Sequence, residues 1–166
     1  KAVVTSDTDS SIFTTQYWTT WMQGQLDFTK ESFDIANAII FLTAKLVSHN
    51  LALMSANLGV DQKQIHQLTM KNEYYFPIFT LTPSAKHYYA QQLCREGSVY
   101  VKPKLEIKGV ELRSSTAPES VMNKLKDYVM WIMNTYMKSG AIPIREILKP
   151  IYDIEAAIMN DIENGG

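Results

Sequence analysis

Two acidic residues stand two positions apart in an otherwise uncharged stretch near the start of the chain. The segment from Val3 to Phe13 reads VVTSDTDSSIF, which places Asp7 and Asp9 between two β-branched runs. On extended backbone, residues two apart can point both carboxylates to one face. Mg²⁺ takes one or two carboxylates from a protein, so such a pair at a strand end is a usable cation platform. A solvated turn explains the same residues, because turns favour Asp and Thr for conformational reasons.

A second group of residues is basic. From Lys86 to Arg113 there are 6 basic and 3 acidic residues. Within this stretch Lys102, Lys104 and Lys108 have even spacing, and on a regular strand they share one face. The functional interpretation is a row of lysines that contacts successive phosphates of a nucleic-acid backbone. The alternative is a solvated strand face on which lysines protect a sheet edge.

Composition limits the class of protein. The chain has 166 residues, 46% of them hydrophobic, with 16 basic and 17 acidic residues and a net charge of −1. One globular domain is expected, and whole-molecule basicity is excluded, so any nucleic-acid site must be local. Cys94 is the single cysteine, which excludes an internal disulfide and favours a reducing compartment. Polar residues interrupt the apolar run from Ile35 to Leu58, so we expect no membrane span.

The acidic pair is placed by a predicted strand, turn and strand, over residues 2–6, 7–9 and 10–16. Apolar residues at helical spacing predict a long helix from Glu31 to Leu58, with Gly59 ending it. Extended runs follow at 74–81, 87–94 and 99–110, with Glu96-Gly97 as the turn of a hairpin. Pro77 and Pro83 limit the first of these runs to an edge or a broken strand.

The last part of the chain returns to helical spacing. Thr116 and Glu119 have the spacing of a capping box at the start of a helix that reaches Gly140. A second helix is predicted from Ile144 to Ile162, kinked or split by Pro150. The predicted fold class is therefore α+β, with an antiparallel sheet, a long packing helix and a C-terminal helical hairpin.

The acidic segment resembles motif C of family B DNA polymerases, whose core is an Asp-Thr-Asp-Ser turn between two apolar strands. Thr5 and Ser6 replace the Tyr and the small residue that usually precede the first Asp. The segment also comes close to the Asp-x-Asp signature of haloacid-dehalogenase-like phosphatases. This motif alone therefore leaves both classes open.

Later segments resemble the polymerases in the family's order. Lys86-His87-Tyr88 is similar to their Lys-x-Tyr motif, and residues 70–73 resemble the strand that brings a further acidic residue to the palm. Residues 102–111 with 114–118 resemble the palm-to-thumb junction of replicative polymerases from tailed phages related to the T-even group. On these landmarks the chain is identified as a member of family B.

The resemblance implies a palm subdomain at residues 1–113 and the beginning of a helical thumb at 114–166. Motifs A and B of the family would precede Lys1, since neither is found here and the chain lacks an initiator Met. We therefore expect a piece of a longer enzyme, inactive in isolation. A virus-encoded protein acting in the cytoplasm of the infected cell is expected.

The resemblance also assigns residues. Asp9 would be a metal ligand, Asp7 an accessory carboxylate and Glu73 a third acidic residue, around two Mg²⁺ ions. Primer-template DNA would be bound by basic residues and by residues of the palm-to-thumb junction. Deoxynucleoside triphosphates would be the substrates. The DNA-binding set is Lys86, Tyr88 in preference to Tyr89, Lys102, Lys104, Lys108, Ser115 and Thr116.

Two alternatives remain from the sequence. A phosphatase would use Asp7 as nucleophile and Asp9 as acid and base, and it needs parallel strands alternating with helices. A non-catalytic DNA clamp would use only the lysine row and the helical hairpin, without a cation.

Overall fold

The computed structural model describes residues 2–110 and 118–164. Helices and antiparallel strands together confirm the predicted α+β class. The chain forms two compact units, one of residues up to Tyr75 with Leu93–Val101, the other of Phe76–Gln92 with residues from Lys102 onward. The predicted boundary between residues 113 and 114 lies outside the described residues.

In chain order the elements are β1 Val3–Ser6, β2 Ser11–Phe13, α1 Gln16–Gln23, α2 Lys30–Asn57, β3 Tyr74–Tyr75, β4 Ile78–Leu81, β5 Tyr88–Arg95, β6 Ser98–Lys108, α3 Glu119–Ser139 and α4 Ile144–Glu163.

The first unit begins with the predicted hairpin. Strands β1 and β2 pair antiparallel, with Ser6 opposite Ser11 beside the turn. The second strand is shorter than predicted, because the chain turns into α1 at Gln16. The Thr14 hydroxyl accepts a hydrogen bond from the Gln16 N–H at 3.1 Å, just before α1. Aromatic and β-branched residues favour a strand locally, which is why this short helix was not predicted.

Helix α2 confirms the long helix predicted at residues 31–58. Thr29 caps its start by accepting a hydrogen bond from the Ser32 N–H at 3.3 Å. Gly59 follows its end with φ at +79°, a conformation that glycine adopts at little cost. On this helix Ala36 and Ile40 are buried, whereas Met54 is 46% exposed.

Asp27 organises the entry to α2. Its carboxylate accepts hydrogen bonds from the Ser32 hydroxyl, from the Thr29 hydroxyl at 2.8 Å and from the Thr29 N–H at 3.2 Å. These bonds, with that of Ser32 the largest cause, lower the pKa of Asp27 to about 2. The connection is therefore strongest while this carboxylate is ionised.

Helices α1 and α2 expose several large hydrophobic side chains. By length and composition alone, α2 is able to cross a membrane, with 17% of its most apolar window buried. Core helices of soluble proteins meet the same criterion, and the expected absence of a membrane span stays a prediction. The most exposed large side chains of the two helices are Tyr17, Trp21, Met22, Phe41, Leu42 and Leu46.

The larger sheet is built around β5. Strands β3 and β4 pair antiparallel with it in one register, with Tyr75 opposite Cys94 and Ile78 opposite Gln91. Pro77 stands in the gap, which confirms the predicted broken strand. Strand β6 pairs with β5 through a two-residue turn at Glu96 and Gly97, both with positive φ as in a type I′ hairpin. These strand pairs are antiparallel, so the phosphatase alternative lacks the parallel sheet that it needs.

The second unit ends in the predicted helical hairpin. Helix α3 begins after Pro118, and the capping residue predicted from the sequence, Thr116, lies outside the described residues. Helix α4 runs unbroken through Pro150, so of the predicted kink or split the split does not occur, and the kink stays a prediction. The Tyr128 hydroxyl donates to the Ile147 carbonyl at 2.6 Å and joins the two helices. Burial, with a smaller contribution from Tyr89, raises the pKa of Tyr128.

Helix α3 packs on the sheet through an apolar cluster and through a polar contact. Ile107 of β6 and Met122 of α3 are buried against each other. Gln91 is fully buried in β5, and its Nε2 donates to Asn134 Oδ1 on α3 at 2.8 Å. Gln91 Oε1 has no hydrogen-bond partner among the described residues. The half-buried residues around the apolar pair are Tyr89, Leu105, Val110, Leu125 and Val129.

Candidate functional site

The acidic pair lies at the tip of the first hairpin. The Asp7 N–H donates to the Ser10 carbonyl at 2.8 Å, which closes the turn around Thr8 and Asp9. The Thr8 N–H donates to Asp7 Oδ1 at 3.0 Å and orients that carboxylate. The turn was predicted correctly, but the expectation that strand alternation aligns the two carboxylates was wrong. Thr8 and Asp9 form a bend, so the two acids lie in a tight turn and not on extended strand.

Both carboxylates are exposed to solvent. Asp9 makes no side-chain hydrogen bond or ion pair with any residue that the structure describes. Glu73, assigned as the third acid, is exposed just before β3, and its carbonyl accepts the Glu96 N–H at 2.8 Å. In the described part of the chain, no three acidic, His or Cys side chains are grouped to hold a metal. Among the described residues, Asp7 and Asp9 thus share one turn, and Glu73 does not join them in a three-residue group.

The lysine row lies on strand β6. Lys102, Lys104 and Lys108 are all exposed, whereas Ile107 is 4% exposed and Leu105 is half-buried against the same apolar cluster. Near its C-terminal end the strand is thus anchored by Leu105 and Ile107, whereas Val101 and Pro103 are exposed like the lysines beside them. All three lysines are exposed, and that they share one face stays a prediction.

The lysine face also carries an acid that the interpretation of the sequence left out. Glu106 has the same parity as the lysines and lies between Lys104 and Lys108, half-buried. Its carboxylate lowers the positive potential of the row between these two positions. The alternating pattern of the sequence already contained this signal, since residue 106 is even-numbered.

Lys86 lies in the tight turn between β4 and β5. The His87 N–H donates to the Ser84 carbonyl at 3.2 Å, and Lys86, the third residue of that turn, has φ at +60°. A positive φ at this position is typical of a type II turn and is usually taken by glycine. A lysine there carries backbone strain, and the exposed side chain is held at the end of the sheet.

Tyr88 is a packing residue in this structure. It opens β5 and is 8% exposed, and its ring centroid lies 4.7 Å from that of Phe79 and 6.4 Å from that of Phe76. The ring is thus buried among other aromatic rings and not presented to a minor groove. Tyr89 is half-buried against the cluster around Ile107. Tyr88 is therefore left out of the DNA surface proposed below, and Ser115 and Thr116 lie outside the described residues.

His87 is the residue whose importance the sequence did not show. Its ring lies directly over Gly109, the residue after Lys108, so that a methyl group on Gly109 would be 2.5 Å from His87 Cδ2. The turn that carries Lys86 is thereby in contact with the end of the lysine row. A single histidine without metal-site spacing gives no such indication, because the contact joins residues far apart in sequence.

These groups form two clusters, each within one compact unit. The acidic turn belongs to the first unit, while the Lys86 turn and the lysine row belong to the second. Exposed carboxylates are ligands for a hard cation, and outward ammonium groups on a strand suit a row of phosphates.

Comparison with known proteins identifies the family of the whole chain. Searches of the curated proteins and of the solved structures find no match. A family model described as divergent Family B DNA polymerase matches residues 1–166. The match spans the acidic turn, the Lys86 turn and the lysine row together. The chain therefore belongs to the divergent family B DNA polymerases.

Proposed function

We propose that this chain contacts primer-template DNA and contributes metal-binding carboxylates to a DNA polymerase that extends a primer 3′ end. The observation that carries the DNA contact is the exposure of Lys102, Lys104 and Lys108 on β6, a strand that buried Ile107 anchors. The family match supports the polymerase itself.

The charge distribution favours a local phosphate surface. The chain as a whole has a net charge of −1, so general basicity does not attract DNA to it. Lysine contacts with phosphates fix the position of a duplex without reading its sequence. This property suits an enzyme that must copy every sequence. Lys86 is exposed in the turn between β4 and β5, in the same compact unit as the lysine row, and adds a fourth ammonium group to the proposed surface.

Asp9 and Asp7 are proposed to hold divalent cations. The fit rests on two exposed carboxylates in one closed turn, because Mg²⁺ uses few protein oxygens and keeps water and phosphate ligands. Two Mg²⁺ ions, when bound, supply activation of the primer 3′-hydroxyl and neutralisation of the leaving pyrophosphate. The role of Asp9 and Asp7 is to bind and orient, while the lysines hold the primer-template duplex. Glu73 is proposed as an accessory acid only.

The proposed substrates are primer-template DNA and deoxynucleoside triphosphates. Groups for the incoming nucleotide, including a further metal-binding aspartate, are proposed to come from an N-terminal part of the same polymerase. The 166-residue chain alone is accordingly proposed not to extend a primer. Template-directed extension by this chain on its own would contradict that proposal.

The DNA surface is tested by binding to a fluorescent primer-template duplex across a salt series. Replacing Lys102, Lys104 and Lys108 by Ala should reduce the slope of log K against log salt by up to about 2.7, or about 0.9 for each phosphate contact. The matched control replaces Lys30, Lys63 and Lys71, which are equally exposed lysines of the first unit. Equal loss in both triple variants would show a general charge effect and contradict a site on β6.

The cation site is tested separately with Asp9→Asn. This variant should keep the affinity of the chain for duplex DNA, since the change removes a negative charge outside the lysine row. Combined with the N-terminal part of the polymerase, it should lose primer extension. Retained extension would remove Asp9 from catalysis and would favour the clamp that works without a cation.

A further inference from the structure

The contact between His87 and Gly109 leaves no space for a side chain at Gly109. A methyl group at that position would be 2.5 Å from Cδ2, 2.7 Å from Cγ and 2.9 Å from Nε2 of the imidazole. These distances are far below van der Waals contact. Gly109 also has φ at +71°, which any other residue adopts only with strain. Both the space and the backbone therefore require glycine here.

Three polar groups of His87, its N–H, its carbonyl and Nδ1, are hydrogen-bonded within the described residues. Its Nδ1 is 2.7 Å from the Ala85 carbonyl oxygen, and because a carbonyl only accepts, Nδ1 carries the hydrogen. Its N–H donates to the Ser84 carbonyl, and its own carbonyl accepts from the N–H and the hydroxyl of Thr82, both at 3.1 Å. The ring is thus fixed in orientation as well as in position.

Each partner in this contact follows a lysine. Lys86 precedes His87 in the turn, and Lys108 precedes Gly109 at the end of β6. The stacked ring therefore holds the two lysines at neighbouring backbone positions, although they are far apart in sequence. Both side chains are exposed, and each is long enough to reach a phosphate beyond its own backbone.

We propose that Lys86 and Lys108 form one composite phosphate-binding site, and that His87 is the positioning residue that holds it together. The ligands are phosphates of a nucleic-acid backbone, because two ammonium groups supply point charges and no geometry for reading bases. The inference rests on the proposed DNA surface and adds a specific pair within it. His87 acts through packing over Gly109, not by touching the phosphate.

The test is a double-mutant cycle on DNA binding by the 166-residue chain. In the wild-type background, Lys86→Ala should lower the salt slope by about 0.9. In the His87→Ala background, the same change should lower it by less than half as much, because Lys86 is no longer held beside Lys108. Lys102→Ala is the matched control, since it lies on the same strand away from Gly109 and should have equal effects in both backgrounds.

Two further variants separate positioning from other roles of His87. His87→Phe keeps a ring over Gly109 but removes both nitrogens, and it should preserve most of the dependence on Lys86. Gly109→Ala should displace the ring and reproduce the effect of His87→Ala, in protein that thermal unfolding shows to be folded. If His87→Phe behaves like His87→Ala, the imidazole acts by its polar atoms and the positioning role is wrong.

The outcomes distinguish this inference from the proposed function. Wild-type binding that depends on the lysine row, together with equal effects of Lys86→Ala in both backgrounds, would overturn the composite site alone. No binding of the wild-type chain to duplex DNA at low salt would overturn both. Reduced dependence on Lys86 only when the ring is absent or displaced is the result we expect.

Discussion

Replacing Lys86 by glycine should separate the stability of this protein from its affinity for DNA. Lys86 has φ at +60°, and a non-glycine residue in this conformation costs about 1–2 kcal/mol. Glycine removes that cost but loses about 0.5–1 kcal/mol more backbone entropy on folding. Any contact of the exposed ammonium contributes at most about 1 kcal/mol. The free energy of unfolding of Lys86→Gly should therefore stay within about 1 kcal/mol of the wild type.

The affinity of the same variant for DNA should fall. Loss of one phosphate contact reduces the slope of log K against log salt by about 0.9, and Lys86→Ala should lose the same amount. The two variants should differ in stability, because alanine keeps the strain at positive φ, so Lys86→Ala should be the less stable. Urea unfolding gives the free energies, and fluorescence anisotropy of a labelled primer-template duplex gives the affinities.

Glu96 provides a matched control for the backbone. It is the other described non-glycine residue with positive φ, at 47°, and its N–H bond to Glu73 survives in Glu96→Gly. Stability should change as little as in Lys86→Gly, with no decrease in the salt slope. Wild-type DNA affinity in Lys86→Gly would refute the assigned contact. A loss of stability above about 2 kcal/mol would refute the account of strain at this turn.

Three further predictions concern the fold. The pKa of the Asp27 carboxylate is lowered from 3.8 to about 2. The stability that this carboxylate contributes is therefore present above pH 3.8 and is lost as the pH falls through about 2. Asp27→Asn should weaken this acid dependence, as measured by urea unfolding between pH 5 and pH 2. Asn134→Leu leaves the fully buried Gln91 amide without its partner and should cost about 1–3 kcal/mol, which Gln91→Leu in the same chain should partly restore. Ile107→Ala should cost about 2–5 kcal/mol by opening a cavity beneath the lysine row, measured by thermal or urea unfolding.

The sequence by itself determined the features that depend on short-range patterns. The acidic turn between two β-branched runs, the long α2 helix and the hairpin at Glu96-Gly97 follow from residue types and spacing, and the structure confirms each of them. The expectation of a shared face for the lysine row rests on strand alternation, which needs no knowledge of the rest of the chain, and the three lysines are exposed.

Only the tertiary structure decided which side chains are buried and which distant residues meet. Tyr88 and Tyr89 are both candidates in the sequence, with Tyr88 preferred, and packing against Phe76 and Phe79 is what makes Tyr88 a buried residue. Likewise, α1 occupies residues whose local preference is for a strand, since tertiary contacts override weak propensities. The stacking of His87 on Gly109 joins a turn to the end of a strand, and no local pattern encodes a contact that depends on how the sheet brings the two together.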